Sequence, residues 1–164
     1  MAPADIHKLL RYDPETGVFT WLVDRGRLAK AGTRAGWPTG DGYLRIKIEG
    51  RNLLAHRVAW FYVHGEWPAK GIDHINGHGA DNRIANLRPA DQSQNNANRK
   101  QQRNNTSGIK GVFWDKNTKK WCAKIRVGGS LKNLGRFTEK EAAAAAYRVA
   151  AERLFGEFAR VSRD

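Results

Sequence analysis

A chain of 164 residues that is 40% hydrophobic, with six Trp, six Phe and four Tyr, can pack one ordinary domain or two small ones, which excludes wholesale disorder. One cysteine, Cys122, excludes a disulfide framework and a thiolate zinc site; with no apolar run of membrane-spanning length and no secretory leader, a soluble protein of a reducing cytoplasm is expected. Lys and Arg outnumber Asp and Glu by 29 to 16, a formal net charge of +13 that points to a polyanionic partner, and the absence of a basic amphipathic helix favours nucleic acid over a membrane surface.

Along the chain, a short helical pattern at Ile6, Leu9 and Leu10 leads into the turn Asp13-Pro14-Glu15-Thr16-Gly17, where Pro presets φ and Gly accepts a positive one. Val18 to Leu22 is strand-like. Tyr43 to Ile48 alternates, with Leu44, Ile46 and Ile48 on one face, and Glu49 to Asn52 turns it into a hairpin with Leu53-Leu54. His56 to His64 is expected to be a buried helix stopped by Gly65 and Pro68.

Residues Gly71 to Asn98, GIDHINGHGADNRIANLRPADQSQNNAN, carry the chemistry. Asp73-His74 follows Ile72 at the end of a short strand, a polar loop runs from Asn76 to Arg83, Asn86-Leu87-Arg88 forms a second strand, and Asp91 or Ser93 caps a helix bearing Asn95, Asn96 and Asn98. Adjacent strand residues point to opposite faces, so the aspartate and histidine need not compete for one ligand. Carboxylate and amide oxygens are hard ligands suited to Mg²⁺ or Mn²⁺, and a neutral imidazole takes a proton from water near neutral pH. Asn95 and Asn96 are not separated by residue type alone. His56 is either structural or near a phosphate backbone, His64 and His78 read as ordinary helix-end and loop residues, and a zinc site of His56, His64, His74 and His78 is the remaining alternative.

Asp73-His74, Asn82, Asn86-Leu87-Arg88 and Asn95 together resemble the HNH nucleases, in the phage and intron-encoded branch typified by homing endonucleases, where Asn replaces the last histidine of a ββα-metal fold. Ala55-His56-Arg57-Val58-Ala59-Trp60 and Gly42-Tyr43-Leu44-Arg45 are similar to that branch as well. His74 precedes Asn86 by 12 residues and Asn95 by 21, in keeping with the family's spacing. The resemblance implies Asp73 and Asn95 as metal ligands, His74 as general base and Asn86 as the residue that pins the loop and orients the histidine. It selects Asn95 over Asn96. It also implies a bacterial or phage-infected cytoplasm as the setting.

Asn95 to Ser107 is polar and reads as the end of a helix followed by a linker, placing the domain boundary near Asn104, with domains 1–103 and 104–164. The first holds 16 basic and 10 acidic residues, the second 13 and 6 in little more than half the length, so the second is the more basic per residue. It reads as three strands, Ile109–Trp114, Trp121–Val127 and Leu131–Phe137, then an alanine-rich helix from Glu139 to Phe155 with Thr138 at its N-cap. Lys124 and Arg126 share one face of the middle strand, while Trp121, Ala123, Ile125 and Val127 form the face for the helix.

Ser107-Gly108-Ile109-Lys110-Gly111-Val112, Lys120 to Arg126, Leu134-Gly135-Arg136-Phe137 and Gly156-Glu157-Phe158-Ala159 resemble the AP2 DNA-binding domain. That implies a three-stranded antiparallel sheet packed on one helix, entering the major groove, with Lys110, Lys124, Arg126 and Asn133 as contacts. Phe113 stands where plant members often carry Arg, and a ring there suits a thymine methyl.

The expected protein is an α+β, metal-dependent endonuclease of double-stranded DNA, nicking as a monomer, with a dimer needed for a concerted double-strand cut. The alternatives are a non-catalytic DNA-binding regulator with a vestigial HNH domain, and an RNA-directed nuclease or toxin. The boundary predicts that a chain ending near Gln102 retains the chemistry and loses affinity.

Overall fold

The computed structural model describes residues 3–99 and 105–160. They form two compact units, Met1–Pro89 and Ala90–Asp164. The boundary expected after residue 103 lies outside the described residues, and the helix that bears Asn95 belongs to the second unit.

In the first unit, α1 (Pro3–Leu9) gives way to β1 (Leu10–Asp13), which pairs antiparallel with β2 (Val18–Trp21). The helical pattern expected to include Leu10 therefore ends one residue earlier. Leu10 and Tyr12 are buried and Arg11 and Asp13 exposed, an alternation hidden in the sequence by its brevity. The Asp13 carboxylate accepts from the Glu15 and Thr16 amides and from the Thr16 hydroxyl, and Gly17 closes the turn at φ 70°.

β3 (Trp37–Pro38), β4 (Leu44–Ile48) and β5 (Arg51–Leu54) make a second antiparallel sheet, in which Ile46 faces Leu53 and Ile48 faces Arg51. The two-residue turn places Glu49 and Gly50 both at positive φ, as a twisted hairpin requires. α2 (Ala55–His64) ends on Gly65 in the left-handed conformation, its N–H bonded to the Phe61 carbonyl. Ile6, Leu10, Ile46, Ile48 and Val58 are fully buried in one core with Phe19, Phe61 and Ile72. β6 (Gly71–His74) pairs with β7 (Leu87–Ala90) across the polar loop, and a 3-10 turn (Ile84–Asn86) leads into β7.

The second unit begins with α3 (Gln92–Asn98). Asp91 caps it: its side chain accepts from the Gln94 amide at 2.8 Å, and the Gln94 side chain accepts from the Asp91 amide at 2.8 Å. The described end of the expected linker is a knot of side-chain bonds. Asn105 Oδ1 accepts from the Ser107 N–H, the Ser107 hydroxyl and the Gly108 N–H, and its Nδ2 donates to the Ile109 carbonyl.

β8 (Val112–Asp115), β9 (Lys120–Val127) and β10 (Ser130–Phe137) form an antiparallel sheet in the order β10-β9-β8. Residues 109–111, expected to begin β8, are a turn. Gly111 has φ 72°, and a Cβ there would lie 2.2 Å from the Tyr147 ring. α4 (Lys140–Phe155) packs on one face of the sheet through Ala143, Tyr147 and Ala151. Its N-cap is Glu139 rather than Thr138, with no side-chain cap bond. Among the described residues no helix is long and apolar enough to cross a membrane.

Candidate active site

The first unit gathers Tyr43, His56, Asp73, His74, Asn82, Asn86 and Arg88. β6 delivers Asp73 and His74, which are only 7% and 4% exposed, so both are withdrawn from solvent despite their polarity. Burial at this level is tolerated only where the groups are paired. Arg88, on the paired strand β7, donates from Nε to Asp73 Oδ2 at 3.0 Å, and both side chains are about nine-tenths buried.

The loop after His74 is tied at both ends by Asn86. Its carbonyl accepts from the Ile75 amide, its Oδ1 accepts from the Asn76 amide at 3.0 Å, and its Nδ2 donates to Asn76 Oδ1 at 3.1 Å and to the Asp81 carbonyl at 2.9 Å. Asn76 in turn donates to the Asp81 carboxylate at 2.7 Å. Arg83 grips that carboxylate and is the first cause that holds it well down, at about 2. Asn86 is therefore bonded to both ends of the loop.

The imidazole is met by a different residue. His74 Nε2 lies 3.4 Å from Asn82 Oδ1, and the Asn82 amide nitrogen is directed instead at the Ala80 carbonyl. Asn82 Oδ1 can accept from the ring when Nε2 carries the proton. Asn82 is 1% exposed and held from behind: the Tyr12 hydroxyl donates to its carbonyl at 2.7 Å, and a Cβ on Gly17 would stand 2.5 Å from its carbonyl carbon. The β1–β2 turn is thus a buttress for this loop. Asn82 entered the motif without a role; the signal for one is a buried amide eight residues after the histidine, and burial is not visible in the sequence.

Two further rings enclose His74. His56, on α2, stands perpendicular to it with centroids 4.9 Å apart, and Tyr43 lies 5.7 Å from His74 and 5.4 Å from His56. Burial lowers the His74 pKa below its usual value, against the opposing pull of Asn82 and Asp73. Burial, then the neighbouring His74 and Arg57, lowers the His56 pKa to about 3, and among the described residues its buried Nδ1 has no hydrogen-bond partner. His64 instead lies against Trp60, centroids 4.0 Å apart and planes tilted by 34°. Among the described residues no three His, Cys, Asp or Glu side chains are grouped to hold a metal, so the four-histidine zinc alternative has no support.

Asn95 is half-buried on α3 in the second unit, while Asn96 is exposed and its side-chain oxygen accepts from Gln92. In that unit's sheet, Phe113, Lys124, Arg126 and Asn133 lie on the face away from α4. Lys124 is opposite Asn133 in register, and its ammonium is 5.2 Å over the Phe113 ring. Arg126 donates to the Gly129 carbonyl at 2.8 Å. The depression there is also lined by Cys122, Leu131 and Arg136, which motif reasoning did not select. Lys110 does not join this face: its ammonium is turned to main-chain carbonyls of residues 96, 97 and 99.

Residues 53–97 match the family model of the HNH endonucleases, so the loop just described falls within an HNH endonuclease domain. Over 107 residues the chain is 36% identical to Protein 3.8 of Escherichia phage T7, covering 64% of this chain and 87% of the phage protein. The chain belongs to one family with that phage protein, and its central segment matches the HNH endonuclease model. No solved structure matches it.

Proposed function

We propose that the protein is a metal-dependent endonuclease of double-stranded DNA in which His74 is the general base. The observation that carries this reading is the desolvated imidazole beside Asp73, held on a loop that Asn86 staples. With its pKa lowered by burial, the ring is neutral at physiological pH and can accept a proton from an attacking water. Asn82 and the flanking rings fix its orientation, so little reorganisation is needed when the phosphate arrives.

By the HNH pattern, Asp73 and Asn95 are the residues that would hold a divalent ion, Mg²⁺ or Mn²⁺. The donors fit that class, since both offer hard oxygens and Mg²⁺ binds through one or two carboxylates while keeping several waters. When bound, such an ion supplies charge neutralisation at the phosphoryl group and at the leaving oxygen. Arg88 restrains the Asp73 carboxylate through its Nε.

The basic sheet face is the docking surface for duplex DNA in the manner of an AP2 domain, with Lys124, Arg126 and Asn133 as polar contacts and Phe113 as an apolar one. Binding there raises the local concentration of phosphodiesters at the nuclease domain. One such site cuts one strand, so a monomer nicks.

Plasmid nicking with Mg²⁺ or Mn²⁺ tests the reading. His74→Ala is expected to lose about 10²–10⁴-fold in rate without loss of binding. Equal cutting by the two proteins removes His74 from the mechanism, and no cutting by either favours a DNA-binding regulator.

A further inference from the structure

α3 has seven residues, too few to be stable alone in water, so its position depends on what holds it. The capping box of Asp91 and Gln94 closes its first turn. Its last turn lacks the usual glycine: Arg99 at the C-cap has φ −57° and ψ 140°, outside the left-handed region. The carbonyls at that end still need donors.

Lys110 provides them. Its ammonium donates to the carbonyls of Asn96 at 3.1 Å, Ala97, and Arg99 at 2.9 Å. Three carbonyls match the three N–H donors of an ammonium, and a cation at this end also complements the helix dipole. The side chain of Ala97, at the same end, is buried with Ala90 against Phe158, and Phe155 packs on the same cluster. Helix, lysine and phenylalanine all belong to the second unit.

We propose that Lys110 is a positioning residue for the Asn95-bearing helix: by binding the last carbonyls of α3, with Phe158 beneath Ala97, it fixes where Asn95 presents its amide. A chain ending near Gln102 loses both anchors, Lys110 and Phe158. The significance for catalysis rests on the reading of Asn95 as a metal ligand. Burial, then the charges of Arg160 and Arg99, draws the Lys110 ammonium down to about 8, while the three carbonyl dipoles favour its charged form. A lysine reaching for phosphate would be solvated instead.

The test uses the full chain, with Lys110→Met, which keeps the stem and removes the donors, and Lys110→Arg, which retains charge and donors. In Lys110→Met the amides of residues 94–98 are expected to exchange about tenfold faster while those of β9 are unchanged. Its kcat for plasmid nicking should fall about tenfold or more with KM for DNA little altered, and Lys110→Arg should recover part of the loss. Unchanged exchange in α3 overturns the proposal, and lost DNA affinity with intact kcat makes Lys110 a DNA contact instead. If Lys110→Met unfolds the unit, Phe158→Leu is read the same way: selective α3 exchange supports the clamp, and its absence overturns it. Asn95→Ala separates the two levels, because retained cutting removes Asn95 from the site while the exchange result still judges the clamp.

Discussion

The loop around His74 and the outer face of the C-terminal sheet are both polar, yet they are built in opposite ways. In the loop, Asp73, His74, Asn82 and Asn86 are each less than a tenth exposed and hydrogen-bonded among themselves and with Asn76, Asp81 and Arg88. On the sheet, Arg126 is exposed, Phe113 is 40% exposed, and Leu131 is 54% exposed. A general base must be oriented and unprotonated before the reaction, and burial favours both. Groups that meet a polyanion work through reach and charge, which solvent exposure preserves.

The contrast is broken most severely at Asn86. Asn86→Ala removes three side-chain bonds and leaves the Asn76 amide without its partner, so a loss of about 2–4 kcal/mol is expected in denaturant unfolding. Nicking should fall by about 10²-fold or more alongside it. An Asn86→Ala protein with both properties intact would mean the loop is held by other means.

Acid provides the second test. The His56 pKa is about 3 in the folded protein and about 6.5 unfolded, so between these values the unfolded chain binds more protons. Stability should therefore be full above about pH 6.5 and fall as pH drops towards 3, by up to several kcal/mol. His56→Gln should flatten this dependence in urea titrations at stepped pH; an unchanged slope assigns the acid sensitivity to other groups.

Gly17→Ala adds a Cβ 2.5 Å from backbone atoms of Asn82 and Arg83 at a φ of 70°. A cost of about 1–3 kcal/mol is expected, with nicking impaired more than DNA affinity. Equal impairment of both would detach the β1–β2 turn from the active loop.

The smallest effects belong to the sheet. Arg126→Ala and Lys124→Ala should each weaken duplex binding and lower the log–log salt slope by about one unit if each neutralises one phosphate, leaving kcat unaltered. A variant with unchanged slope and affinity removes that residue from the interface.

Much of this was legible in the residues themselves. The alternation in Tyr43–Ile48, the Gly65 stop, the strand ending in Asp73-His74 and the Asp91 cap are local patterns, and local patterns survive into the fold because backbone preference and burial period agree there. Leu10–Asp13 was hidden, since four residues that could extend a helix become a strand only when β2 pairs with them. Lys110 was hidden for the same reason: a lysine in a basic module reads as a DNA contact until the chain brings carbonyls 11 to 14 residues away onto its ammonium.

Sequence alone determined the strand, loop, strand and helix of the HNH pattern and the basic character of the C-terminal module, both properties of residue type and spacing. Tertiary structure decided that Asn82 meets the imidazole, that Tyr43 and His56 enclose it, and that α3 is anchored by Lys110 and Phe158. Each of these depends on residues far apart in the chain becoming neighbours, and only burial of a shared core brings them together.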